Sequence, residues 1–475
     1  MNTRAINVSD RFFVRFSLSW LLMDKNIISM IHIQKYRVAC YMVLYVMRHT
    51  RIAATDLGPS QLLLFLLQLT AMAVLTGSVD RRYDHHLLGT SLVWNSSYDP
   101  RAVIHSRFQM TRTGRVIVVS PRFRPGVPFT LGSFRTAGTG DRCIVEPDVL
   151  PLPSTPHAHR ADTRTPPASK DSAPAPLVNV IDLSIEDITD VVWLLDVGLV
   201  DTMTGSPRRV APAKVVRLEI DDDQDHRGPP KSSYKTFEIK TAAVDTADDC
   251  SEASSCLQYI VTYRSRTGER NHYAFVSDAA RSTVLVLNTD TGAQWAMDFP
   301  QKATGHEAAP RDILFMVLLR MANGQTWLYT TFMSGCKVFA VDLEYIDRCT
   351  LDGAQPAIVE VGHKPYRITV LGTDTGSRMY FRRPTENEIW AWDANYGPFH
   401  PLGFKLVSKG TDCRAPVHVA PGYGGFVYVL KNNFADYVRK STGSMGAYSL
   451  IHPVITLPSS CSISTTTAVP SKADS

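Results

Sequence analysis

Tyr273–Asn288 reads YAFVSDAARSTVLVLN. An apolar, β-branched run ends in Asp278, a short polar stretch follows, and a second apolar run closes with Asn288. Thr289-Asp290-Thr291-Gly292 then supplies turn chemistry. The same form returns downstream: Thr326–Thr331, TWLYTT, followed by CKVFAVD; Arg378–Phe381, RMYF, followed by EIWAWD; and Gly425–Leu430, GFVYVL. It is also present upstream, as RVIVVS at Arg115–Ser120 and VWLLD at Val192–Asp196. The centres near Tyr329, Tyr380 and Val427 lie about 50 residues apart, a blade-like period. Long amphipathic helical patterns are nearly absent after residue 80. A pair of antiparallel strands cannot bury both faces alone, and radial stacking of such units buries them while leaving only short edges. A generic β-sandwich does not explain the recurrence. The fold class expected is all-β, a six-bladed β-propeller spanning residues 79–458.

The chain has 475 residues, 44% of them apolar and 20% charged, enough for a large core. Its net charge of +5 sits entirely in residues 1–78, where eight Lys/Arg face three Asp; the 42 basic and 42 acidic residues that remain balance. A neutral body lacks the clustered basic face that nucleic acid requires, so no nucleic-acid partner is expected.

Gln61–Val74, QLLLFLLQLTAMAV, is uncharged. Arg48 and Arg51 lie before it, and Ala71, Ala73, Gly77 and Ser78 follow or end it. Basic region, apolar run and small-residue exit read as a signal peptide. The run is short for a membrane span, which needs about 20 apolar residues. Residues 1–78 are therefore read as a signal peptide with an upstream extension, Met47 being an alternative start. The mature chain is expected to begin between Ala73 and Val79, to be secreted and to have no membrane partner.

Seven cysteines follow that segment: Cys143, Cys250, Cys256, Cys336, Cys349, Cys413 and Cys461. In an exported chain they favour disulfides, with one thiol left over. Cys336 and Cys349 flank CKVFAVDLEYIDRC and are expected to pair; Cys250 and Cys256, closing a short loop, are the next candidates. Asn95-Ser96-Ser97 is a glycosylation sequon. Ser154–Pro176 holds five prolines with His157 and His159, and reads as a solvated, dispensable surface insertion. The Ser/Thr-rich tail, 459–475, reads as flexible.

No GxSxG, HExxH, Walker loop or helix-opening GxGxxG occurs, and no cysteine spacing fits a zinc site, so no cofactor or metal is expected. Asp196 and Asp278 end apolar strands in successive units. At a propeller's channel mouth such carboxylates would bind a cation or an ammonium group; equally, each would cap a turn by accepting backbone N–H groups. Asn432, Asn433 and Phe434 end the last strand. An amide beside an aromatic ring suits an amine-bearing aromatic ligand, the amide orienting it and the ring stacking on it.

Gly114–Leu131, GRVIVVSPRFRPGVPFTL, resembles the RVFVTVPRWRPGVPATL segment of the yellow/major royal jelly protein family almost position for position. Val192–Val200 resembles its LWVLDTGIV, Lys214–Leu218 its PKLVVFDL, Tyr273–Asp278 its AYIADS, Glu388–Asn395 its AVWCWNT and Phe426–Phe434 its LWVLSNRL. Order and spacing agree over about residues 90–450. Two departures stand out: Thr189 and Ala211 occupy positions where the family carries cysteines, so one family disulfide is lost cleanly. The Pro-rich insertion is also foreign to the family.

The resemblance implies an extracellular six-bladed propeller that binds a small aromatic ligand, a biogenic amine, in its central cavity. By position Asn432 and Phe434 match the amine pocket of salivary members, with Asp278 or Asp196 as counter-charge. A dopachrome-converting enzyme of pigmentation, and a secreted structural or signalling protein without a small ligand, are the alternatives the resemblance leaves open.

Overall fold

In the computed structural model, the described residues are 85–88, 98–135, 148–155, 158–160, 175–186, 189–221, 231–240, 255–266, 271–299, 312–347, 355–383, 387–410, 414–444 and 446–456. Asn95, Cys250, Cys349 and the tail beyond Thr456 lie outside them, as do all residues before His85.

The described chain is all-β, with the short helix Phe434–Arg439, helical residues at 346–347 and a few single turns of 3-10 helix. Strands run next to one another in sequence order. Arg107–Met110, Arg115–Val119, Leu131–Arg135 and Leu150–Pro151 form one four-stranded antiparallel sheet. Val180–Ile185, Val192–Asp196, Lys214–Asp221 and Lys231–Glu238 form the next, and Leu257–Arg264 to Gln294–Asp298 and Leu314–Arg320 to Ile358–His363 form two more. An eight-stranded sheet divides at one parallel bridge, Gly372 against Val419, into two further antiparallel runs of four. The last run takes its outermost strand, His85–Leu88, from the other end of the described chain: His85 pairs with Ile451 and Leu88 with Tyr448.

The first strand of each run is the innermost. These strands are Arg107–Met110, Val180–Ile185, Leu257–Arg264, Leu314–Arg320, Thr369–Thr373 and Ala415–Gly422. Each packs on the next, and the last packs on the first. The second strands are sandwiched on both faces, which is why they read as unbroken apolar runs: every residue of RVIVV and of VWLLD is buried. Aromatic contacts fill the spaces between sheets, as where Trp392 meets Tyr329 edge-on at 5.6 Å and Phe399 at 5.1 Å. Between Thr283–Asn288 and Gln294–Asp298, the Asn288 side chain accepts from the N–H groups of Asp290 and Thr291, and Gly292 takes a positive φ of 76°.

Two expectations change here. Cys336 is a free, exposed thiol, not a bridged one. It sits just before the strand Lys337–Asp342, whereas the chain leading to Cys349 leaves from that strand's other end. Cys349, its expected partner, lies outside the described residues. Cys256 is disulfide-bonded, to a partner outside the described residues. The Pro-rich insertion is also not wholly a solvated loop. Ala158 and His159 are buried, His159 accepts or donates at Nε2 to the Pro153 carbonyl at 2.9 Å, and its ring lies 5.9 Å from Phe129. The residues between 161 and 174 lie outside the described residues.

Candidate functional site

Asp196, Asp278 and Asn432 occupy equivalent places, at the end of the second strand of their runs, beside the start of an inner strand. The two aspartates hold backbone N–H groups at that start, whereas Asn432 bonds the backbone ahead of a different inner strand, Arg107–Met110, and just after its own strand. Asp196 is buried and accepts from the N–H groups of Val178 (2.7 Å), Asn179 (2.8 Å) and Gly198 (3.0 Å), with Lys214 Nζ at 2.9 Å. Asp278, also buried, accepts from the Cys256 N–H at 2.8 Å and the Ser255 hydroxyl at 2.7 Å. Asn432 donates to the His105 carbonyl at 2.8 Å and accepts from the Phe434 N–H at 3.1 Å. Phe434 is half-buried, stacked on Tyr437 with ring centres 6.1 Å apart and edge-on to Phe123 at 6.4 Å. The capping role therefore replaces the counter-charge role for both aspartates. Three of the four residues expected to form one ligand site each serve a different sheet's backbone.

A different set of side chains converges at the centre. A cavity of 160 Å³ is lined by all six inner strands, and Arg107, Asp182, Tyr259, Phe315, Val370 and His418 contribute one residue each from the part nearest the strand starts. It runs from there toward the strands' C-terminal ends, at Glu186, Arg264, Arg320 and Thr375. The sequence-expected residues pair with Val180, Leu257 and Ala415, at the starts of three of these strands, two or three residues before the cavity lining begins.

This layer is stitched by hydrogen bonds around the ring. Arg107 donates to the Val417 carbonyl at 3.0 Å, places Nε 3.4 Å from an Asp182 oxygen, and lies 4.8 Å over the Tyr259 ring. The other Asp182 oxygen accepts from the Ile260 N–H at 2.8 Å. Tyr259 stacks on Phe315 with centroids 5.5 Å apart. His418 accepts the Phe108 N–H at 3.4 Å through Nδ1 and meets the Phe108 ring edge-on at 5.3 Å.

Burial sets the electrostatics. It pushes the Asp182 carboxyl up to about 6 despite the nearby Arg107 guanidinium, and it raises the Tyr259 phenol. Burial, reinforced by Arg107, holds His418 well below the usual histidine range and keeps it neutral. The arrangement offers one carboxylate, one guanidinium, a stacked aromatic pair and a neutral imidazole around one cavity.

Sequence reasoning missed these residues because the inner strands are the least regular of each run. The available signal was an ionisable residue inside an apolar strand: Asp182 in VIDLSI, His418 in APVHVA, Arg107 in RFQM.

The buried histidines dictate a pH response. Burial lowers His105 to about 4 and, with Arg122, His159 to about 3, from an ordinary 6.5; His418 moves the same way. A histidine lowered on folding binds its proton more readily in the unfolded chain, so its stabilisation is present above 6.5 and is lost as the pH falls toward 4. Asp182, raised from 3.8 to about 6, acts oppositely and gains stability on the same descent. The three histidines, joined by Asp99 and Glu360, which their ion pairs hold low, oppose the raised carboxyls of Asp182, Asp201 and Asp374, and the denaturation midpoint is expected to fall between pH 6.5 and 4. A midpoint that stays level or rises over that range would contradict the assignment.

Among solved structures, the chain resembles the β-propeller domain of Cps50 (Swd1) from Myceliophteria thermophila. Identity is 10%, the TM-score is 0.37, and the match covers 74% of this chain and 98% of that one. It also resembles the PQQ-bound aldose sugar dehydrogenase of Streptomyces coelicolor at 9% identity and a TM-score of 0.36, covering 79% and 100%. No curated protein sequence matches it. The family model described as major royal jelly protein matches residues 178–446, more than half of the chain, and the protein belongs to that family.

Proposed function

We propose that this protein is a secreted six-bladed β-propeller that holds a small aromatic ligand bearing an ammonium group, the biogenic amines being the first class to test, in its central channel. Six runs of four strands, with inner strands packed in a closed circuit, support the blade count. The uncharged run 61–74 supports export. The observation that carries the ligand reading is the Asp182 carboxylate in the same cavity as the Tyr259–Phe315 stack. A carboxylate attracts the ammonium, and the edges of the stacked pair receive the ring. The volume matches the roughly 150 Å³ of an apolar cavity that admits a benzene ring.

Calorimetry with dopamine, serotonin and tyramine tests this. Micromolar binding is expected, and Tyr259→Leu, which removes one ring of that pair, should weaken it about threefold to tenfold. Absence of binding to all three would reject the reading. A second reading, conversion of a dopachrome-like substrate, draws on a carboxyl that titrates at about 6 within the cavity, where a proton acceptor near neutrality would sit. Accelerated dopachrome decay that disappears in Asp182→Asn would bring it forward.

A further inference from the structure

The cavity that takes the aromatic ring in the reading above has a second charge in its wall, and that charge narrows the ligand class. Arg107 and Asp182 stand side by side, 3.4 Å apart at their nearest atoms, longer than the 2.7–2.9 Å of a fully formed charge-assisted hydrogen bond. Both line the cavity. An ammonium brought to Asp182 therefore also comes close to the Arg107 guanidinium, and like charges at that spacing repel. Farther along, the wall adds Arg264 and Arg320 against Glu186, so the lining carries three arginines and two acidic residues. His418 is neutral and offsets none of this. Such a wall holds a ligand whose only charge is positive less tightly than one that also carries a carboxylate.

A carboxylate on the atom next to the ammonium removes the conflict. It faces Arg107 while the ammonium faces Asp182, and two antiparallel ion pairs replace one attraction and one repulsion. The guanidinium gives Nη1 to the Val417 carbonyl and Nε to Asp182, and its charge and remaining N–H groups are what a ligand carboxylate would meet. The ring attached to the same carbon then meets the Tyr259–Phe315 pair edge-on, since Arg107 and Phe315 cover the Tyr259 faces.

We propose that the channel ligand is an aromatic α-amino acid in its zwitterionic form, its carboxylate held by Arg107, its ammonium by Asp182 and its ring by Tyr259 and Phe315. This rests on the aromatic-ligand reading of the channel and is tested apart from it with four probes of one ring: tyrosine, tyrosinamide, tyramine and 3-(4-hydroxyphenyl)propionate. Calorimetry on the unmodified protein is expected to rank tyrosine at least tenfold tighter than each of the other three. Tyramine or tyrosinamide binding as tightly as tyrosine would overturn the zwitterion and leave the aromatic-ammonium reading in place; no binding by any probe would overturn both. In Arg107→Gln the ratio of tyrosine to tyramine affinity should fall toward one, and in Arg107→Lys, which keeps the charge but not the guanidinium N–H groups, it should fall only in part. A ratio unchanged in a folded Arg107→Gln protein would also overturn the proposal.

Discussion

Asp196→Ala should destabilise the protein by about 3–5 kcal/mol, the range for removing one partner of a buried ion pair. The change leaves Lys214, whose side chain is almost fully buried, without its carboxylate, and withdraws the acceptor from three backbone N–H groups. Lys214 keeps a bond to the Pro176 carbonyl at 3.0 Å, which satisfies one proton but not the charge. Guanidinium denaturation measures the loss as a lower midpoint with an unchanged slope. Adding Lys214→Met to Asp196→Asn should recover much of it, because the stranded charge goes as well. A single-variant loss below about 1 kcal/mol would show that the pair is not the clamp described here.

Gly372→Ala should cost a comparable amount for a different reason. Gly372 adopts a φ of +145° where its backbone meets Val419, and a Cβ there would lie 2.0 Å from the Val419 carbonyl oxygen. Backbone strain of about 1–3 kcal/mol and overpacking of about 1–3 kcal/mol both apply. This contact is the parallel bridge between two inner strands, so relief by separation would open the channel wall itself. A Gly372→Ala protein that melts with the unmodified one would show that the two strands have room to part.

The all-β class was legible because second strands are covered on both faces, and such strands must be continuous in apolar residues. RVIVV, VWLLD and TWLYTTF therefore announce themselves. The inner strands bury one side against neighbours and turn the other to the cavity, and polar residues interrupt them. That is why Asp182 and His418 drew no notice, while Asp196 and Asp278, at the visible strand ends, drew too much. An aspartate at a strand end looks the same in sequence whether its oxygens face a ligand or a neighbouring N–H. Only the third dimension, which brings Val178 and Asn179 back to Asp196, separates the two.

The outermost strand of the last sheet, His85–Leu88, pairs with Tyr448–Ile451 near the other end of the described chain. During synthesis the ribosome must therefore deliver position 451 before position 85 finds its place, 366 residues later. At about 5–20 residues per second, that strand waits roughly 20–70 seconds with its hydrogen-bonding edge open. A pairing so distant in sequence also closes slowly once its partner exists. The final sheet is thus the natural last step of assembly, and the interval in which that edge stays open is the one before these two strands meet. A permuted gene that starts after residue 88 and carries His85–Leu88 behind Thr456 would make that pairing local, shorten the wait, and give a faster-folding protein with the same strands in the same sheet.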